Sequence, residues 1–271
     1  MTTQSPDMGG ANIARNAIAA IRAAGARYGL NLVAAIPADR YDAAVAPAYR
    51  TSTFASTELP ATPRSIVLIG NGGGDFWRAF SNFAERNSGW RERANPLDEF
   101  TREIVEREVV TAVRHAGARC VAIYPFVNGG PSLNFIELAK LTGLGGPSII
   151  GVVLHPTYGP WMAFRTALIL DVEVDLPGAA IGFDPCPTCV PRSCIGACPA
   201  TAVSFPAGWD IPKCLTHRVE VEADCASRCH ARVACVVGPE HRYPDDELAY
   251  HHGRALGAMR PWYEAHIRPH K

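Results

Sequence analysis

Apolar residues recur at helical spacing near the start of the chain. Ile13, Ala17, Ile18, Ile21 and Tyr28 fall on one stripe ahead of Gly29, which predicts an amphipathic helix over residues 11 to 28 closed by the glycine. The run NLVAAIP that follows reads as a strand. SIVLIG, at 65 to 70, is an unbroken apolar stretch leading into NGGG, the pattern of a buried strand that stops at a glycine turn. A helix follows from Asp75. Asn95, with Pro96 behind it and Asp98 in the first turn, opens another helix whose buried stripe is Phe100, Ile104, Val105, Val109 and Val113. CVAIYPF predicts a strand, LNFIELAKLTGLGG a helix ending in glycines, and SIIGVVL and FRTALILDVEV two more strands around HPTYGPW. From Asp245 onward, DDELAYHHGRALGAMRPWYEAHI is helical in character. Helices and strands alternate without segregating, which indicates α/β or α+β.

The texture changes near Pro177. From Asp184 to about Pro244 the chain holds eight of its nine cysteines and many prolines, with little periodicity, as expected where metal and not apolar burial orders the backbone. The expected division is a body over 1–183, a metal module over 184–244, and a C-terminal helix over 245–271 that packs on the body. Composition narrows the function. With 48% hydrophobic and 19% charged residues, the 271-residue chain lacks the polar bias of a disordered protein. Twenty-six basic residues balance twenty-six acidic ones, so no global field draws in nucleic acid or an anionic membrane surface. Arg15, Arg22 and Arg27 interrupt the N-terminal segment and leave no leader pattern; no stretch approaches the roughly 20 apolar residues of a membrane span. A cytoplasmic location is expected, where thiols stay reduced.

The candidate chemistry lies in CPTCVPRSCIGACP. Two residues separate Cys186 from Cys189, four separate Cys189 from Cys194, and three separate Cys194 from Cys198, which Pro199 follows. Cys214, Cys225, Cys229 and Cys235 bring the segment to eight thiols. Three readings are open: two iron–sulfur clusters, two zinc sites of four thiolates each, or disulfides. Zinc sites favour two separated CxxC pairs, and the expected compartment disfavours disulfides. Cys120, at the head of a strand, reads as a buried apolar thiol.

The compact run resembles that of bacterial ferredoxins, in which three close cysteines hold one cluster and a fourth, before a proline, reaches another; the four-residue gap here replaces their two. That resemblance implies two 4Fe-4S clusters, one on Cys186, Cys189, Cys194 and Cys235 and the other on Cys198, Cys214, Cys225 and Cys229.

In the body, the glycines at 143, 145, 146 and 159 permit close backbone approach. Tyr158 and Trp161 offer flat rings that suit a large ring system, and Arg165 offers a cation; turn glycines and ordinary core aromatics are the alternative. LHPTYGPWMAFRTALILDVEVDLP, GLNLVAAIPADRYDAAV and SIVLIGNGGGDFWRAF resemble the CblC-type cobalamin-trafficking chaperones. This segment followed by a cysteine run ending in CP is similar to epoxyqueuosine reductase and to the corrinoid-binding domain of reductive dehalogenases. The resemblance covers most of the chain. It implies an α+β fold, with a flavin-nitroreductase-like body carrying a C-terminal ferredoxin-like two-cluster module. It also implies base-off cobalamin or a flavin in its place, an electron-donor protein as partner, and a corrinoid as the small molecule bound. Gly145, Tyr158 and Trp161 would then face the cofactor, and Arg165 matches an arginine that holds glutathione or another thiol in the chaperones. His155 is expected to be satisfied by loop hydrogen bonds and not to ligate cobalt. In epoxyqueuosine reductase a proton-donating aspartate stands where this chain has Asn128, and an amide cannot donate a proton as a carboxylic acid does. The function expected is an oxidoreductase that reduces cobalamin or removes its upper ligand. A two-cluster electron carrier without corrinoid is the main alternative, ahead of tRNA modification or a zinc-binding module.

Overall fold

The computed structural model describes residues 8–54, 62–127, 130–221 and 225–268. Asn128 lies outside them. The chain divides into two compact units, each assembled from two stretches of sequence.

The first unit, residues 1–144 with 163–181, is built on a four-stranded sheet. Its strands are β1 (Leu32–Pro37), β2 (Ser65–Gly72), β3 (Cys120–Ile123) and β4 (Met162–Leu170), in the order β1-β2-β4-β3. β1 pairs antiparallel with β2, setting Leu32 opposite Gly70, and β3 pairs antiparallel with β4, setting Cys120 opposite Leu170. Every residue of β2 is buried, which is why its centre, Ile66–Ile69, is a continuous apolar run instead of alternating. Ile66, Val67, Leu68 and Ile69 are all fully enclosed, each stabilising the fold by about 1.5–3 kcal/mol. Gly70 is required by its neighbour: a Cβ there would stand 2.6 Å from the Ala163 carbonyl oxygen.

Helices complete this unit. α1 (Met8–Ala26) and α2 (Ala38–Ala44) flank β1, and α3 (Asp75–Arg86) follows β2. α4 (Pro96–Ile104) starts with proline at its first turn, where the missing N–H costs nothing. The helix then widens to π geometry over Val105–Val110 and resumes as α5 (Thr111–His115), with Val105, Val109, Val110 and Val113 facing inward. Phe100 sits among Phe76, Phe80 and Phe83 with ring centroids 5.6, 5.7 and 5.1 Å away. α6 (Phe135–Thr142) is capped by Asn134, whose side chain accepts the Glu137 N–H at 3.0 Å, and ends on left-handed Gly143. Cys120 is buried at the start of β3, as its sequence context suggested.

The second unit, residues 145–162 with 182–271, contains the cysteine-rich segment. Its elements are short: α7 (Ser193–Gly196), a hairpin of β5 (Val203–Ser204) and β6 (Gly208–Trp209), α8 (Ile211–Glu220) and α9 (His230–Val233). α10 (Asp245–His266) runs on through Pro261 and packs with α8 inside this unit. SIIGVVL, expected as a strand, is instead a turn-rich loop. Pro147 offers no N–H, and Gly151 takes a φ of +76° with the Trp209 ring 2.2 Å from where a Cβ would stand, so neither end can extend a ladder. Gly146 and Leu154 still exchange two backbone hydrogen bonds, both 2.9 Å. Among the described residues no helix is long and apolar enough to cross a membrane. The architecture is mixed helix and sheet of the α+β type.

Candidate metal centre

The cysteines converge because tight local turns present them one after another. Cys189 N–H donates to the Cys186 carbonyl, closing the first loop. Arg192, at a left-handed φ of +40°, turns the chain into α7, which carries Cys194. Cys198 follows with its N–H on the Ile195 carbonyl, and its sulfur accepts the Ala202 N–H at 3.4 Å. Asp210 caps α8 by accepting the Lys213 N–H at 2.9 Å and so places Cys214 in the first turn of that helix. Cys229 stands immediately before α9 and Cys235 just after it. A floor of Ile149, Ile150, Val203 and Ala231 packs against Cys186, Cys194, Cys198 and Cys229.

All nine cysteines are free, so the disulfide reading does not describe this fold. The eight in the second unit form two groups. Cys186, Cys189, Cys194 and Cys235 line one cavity, together with Ile149, Ile150 and Leu154. Burial pushes the Cys194 thiol above its ordinary pKa, and Cys235, Cys186 and Cys189 push it the same way. Burial likewise raises Cys186 and Cys235; Cys189 adds to both, while backbone N–H groups of Ile149 and of Val236 and Val237 act against the rise. In the other group, burial lifts Cys225 to about 11, with Cys214, Cys229 and Cys198 adding to it. Cys214 is raised by burial, and by Cys229 and Cys198, against a hydrogen bond from the Trp209 side chain. Each raised thiol responds to members of its own group. Among the described residues no three His, Cys, Asp or Glu side chains are placed to hold a metal ion. The donor chemistry itself is all sulfur, backed by N–H groups on the sulfurs and by an apolar floor, a set that fits an iron–sulfur cluster or four-thiolate zinc.

The other residues singled out from sequence are placed as follows. Gly145, Tyr158 and Trp161 belong to the cysteine-containing unit, and Arg165 to the other. A Cβ on Gly145 would lie 2.1 Å from Val153 Cγ1, so the protein's own side chain uses that close approach. Tyr158 packs between His155 and His241, with centroids 5.1 and 4.6 Å away. Trp161 is fully enclosed against Tyr243 and Leu248, with the Arg232 guanidinium 5.0 Å from its ring centroid. His155 Nδ1 accepts the N–H groups of Thr157 and Tyr158 at 3.1 and 3.3 Å, the loop hydrogen bonding expected of it. Arg165, on β4, is buried; its Nε donates to Asn71 Oδ1 at 2.7 Å and its guanidinium lies 4.5 Å from the Phe76 ring centroid.

Two residues that hold these groups escape a sequence reading. Asn71, wholly buried at the end of β2, orients Arg165; its only sequence signal is its place at the first position of NGGG. Arg218, on α8, is 6% exposed and lies four residues after Cys214, hence on the same helix face.

No protein-family model matches the chain, and no curated protein matches it. Solved structures do. One is the B12-trafficking protein CblC of C. elegans, a homologue of human MMACHC. It is 14% identical, with 94% of this chain and 97% of that one covered and a TM-score of 0.56. A reductive dehalogenase whose structure suggests a mechanism for B12-dependent dehalogenation is 19% identical at a TM-score of 0.51; 97% of this chain is covered but only 38% of that one. Epoxyqueuosine reductase of Bacillus subtilis matches at 16% identity, covering 86% of this chain and 68% of that one, with a TM-score of 0.49. What the first two establish is a common fold.

Proposed function

We propose that the chain is an iron–sulfur oxidoreductase that holds two 4Fe-4S clusters and acts on a corrinoid, reducing cobalamin or removing its upper ligand. The observation that supports this is the cavity lined by Cys186, Cys189, Cys194 and Cys235, with the other four thiols of the segment in the same unit. Cys186, Cys189, Cys194 and Cys235 would hold one cluster, and Cys198, Cys214, Cys225 and Cys229 the other. Such clusters supply one-electron transfer over a range of about −700 to +450 mV, set by burial, net charge and hydrogen bonds to sulfur. The chain's own part is to fix these terms. Ile149, Ile150, Val203 and Ala231 exclude water from beneath the sulfurs, and the N–H groups of Ile149, Ala202, Val236 and Val237 with the Trp209 indole stabilise thiolate charge.

The corrinoid half of the proposal is supported by the fold held in common with a B12-trafficking protein and a B12-dependent dehalogenase. In this reading Tyr158 covers the ring system, and Trp161 and Gly145 frame the loop that presents it; Arg165, within its own unit, is assigned the separate role of contacting an anion or a thiol such as glutathione. An electron-donor protein delivers the electrons, and the compartment is the cytoplasm.

The test is anaerobic purification with iron, acid-labile sulfide, zinc and cobalt analysis, then titration with cobalamin under reducing conditions. Iron and sulfide with a changed cobalamin spectrum support the proposal. Iron and sulfide with an unchanged spectrum leave a two-cluster electron carrier, and bound yellow cofactor released on denaturation replaces the corrinoid with flavin. Zinc without sulfide overturns the reading.

A further inference from the structure

Arg218 is a buried cation, and among the described residues no carboxylate pairs with it. Only 6% of it is exposed. Its Nη2 donates to the His252 carbonyl at 2.7 Å, its Nη1 lies 3.9 Å from Met259 Sδ, and its Nε is enclosed with no hydrogen-bond partner. Burial works against its charge. The groups that work in its favour are three thiols, Cys214, Cys225 and Cys229, and no Asp or Glu of the described residues stands with them. A guanidinium taken out of water requires a compensating anion. Arg218 lies one helical turn after Cys214, so that group of thiols would supply the anion once it holds a cluster as thiolates.

We infer that Arg218 is the internal counter-ion of the cluster on Cys198, Cys214, Cys225 and Cys229, and that its fixed charge raises that cluster's reduction potential. The inference rests on the cluster reading above. Four thiolates around a four-iron core form a net anion, and uptake of one electron from an external one-electron reductant, with no proton, makes it more negative. A fixed positive charge in a low-dielectric setting therefore favours the reduced form. Among the described residues the cation at the other group of cysteines is Arg192, which lines their cavity and also has an enclosed Nε without a hydrogen-bond partner. Arg192 differs in being partly exposed, in donating to the Pro187 carbonyl at 3.2 Å and in lying 3.8 Å from the Phe205 ring centroid. Arg218 thus makes the two clusters unequal.

The experiment compares wild type, Arg218→Gln and Arg218→Lys as purified full chains by iron and sulfide content and by EPR-monitored potentiometric titration with dithionite. In Arg218→Gln one midpoint falls by at least the equivalent of a tenfold change in the one-electron equilibrium, about 59 mV, while the other midpoint stays. Arg218→Lys keeps the charge and stays near wild type. If Arg218→Gln instead loses about four iron atoms per chain, retention of them by Arg218→Lys supports the counter-ion role. Unchanged midpoints in Arg218→Gln, or equal losses in both variants, overturn it. A wild type without iron and sulfide removes the clusters themselves, and this role with them.

Discussion

Gly159 offers a sharp test of how the cysteine-bearing unit is held together. It exchanges backbone hydrogen bonds of 2.8 and 2.9 Å with His155, takes a φ of +53°, and faces the Val237 carbonyl so closely that a Cβ would stand 1.9 Å from that oxygen. Gly159→Ala would force a left-handed conformation on a residue with a side chain, costing roughly 1–2 kcal/mol. It would also drive the 237 backbone away, and displacement of packed atoms adds roughly 1–3 kcal/mol. The sum is a destabilisation of about 2–5 kcal/mol. The damage has a direction, because Val237 lends its N–H to Cys235. Anaerobic urea unfolding followed by circular dichroism measures the first effect, and the rate at which visible cluster absorbance bleaches under a chelator measures the second. Gly253→Ala is the control: that helical glycine has nothing within 4 Å of its added Cβ, so alanine there stabilises by roughly 0.5–1 kcal/mol. A Gly159→Ala protein within about 0.5 kcal/mol of wild type and bleaching at the same rate would falsify the argument that this close approach positions Cys235.

Cys194→Ala and Cys225→Ala are expected to remove different clusters, each lowering iron by about four atoms per chain and leaving a distinct EPR spectrum; identical residual spectra would show that the thiols do not divide as described. His155 gives a pH dependence. Its pKa is lowered by burial and then by His241, so the unfolded chain takes up a proton at a pH where the folded one does not. The associated stability is complete above the unfolded value of 6.5 and is lost as pH falls from there through the folded pKa. His155→Asn should flatten the dependence of the urea midpoint on pH below that value, and an unflattened curve would assign the effect elsewhere.

Much of the fold was legible because the relevant forces are local or strongly periodic. The continuous apolar run of β2 and the Asn95-Pro96 opening of α4 both declare themselves within a few residues. SIIGVVL misled because composition alone cannot reveal that Gly151 is claimed by the Trp209 ring nearly sixty positions onward. The eight clustered cysteines were visible as a set, and the ferredoxin-like spacing suggested a grouping of which four members, Cys186, Cys189, Cys194 and Cys235, line one cavity. Arg218 was not visible: arginine is common on helices, and only its enclosure sets it apart. Trp161 reads equally well as a ring platform or a core residue until Tyr243 and Leu248 are seen against it.

Residues 145–162 lie between α6 and β4 in sequence yet fold with the distant cysteine segment. The cysteine-bearing unit is therefore no detachable cassette. A fragment begun at residue 182 would lack Ile149 and Ile150, and with them half of the buried platform under its sulfurs. Any transplant of the cysteine-bearing unit must carry residues 145–162 along.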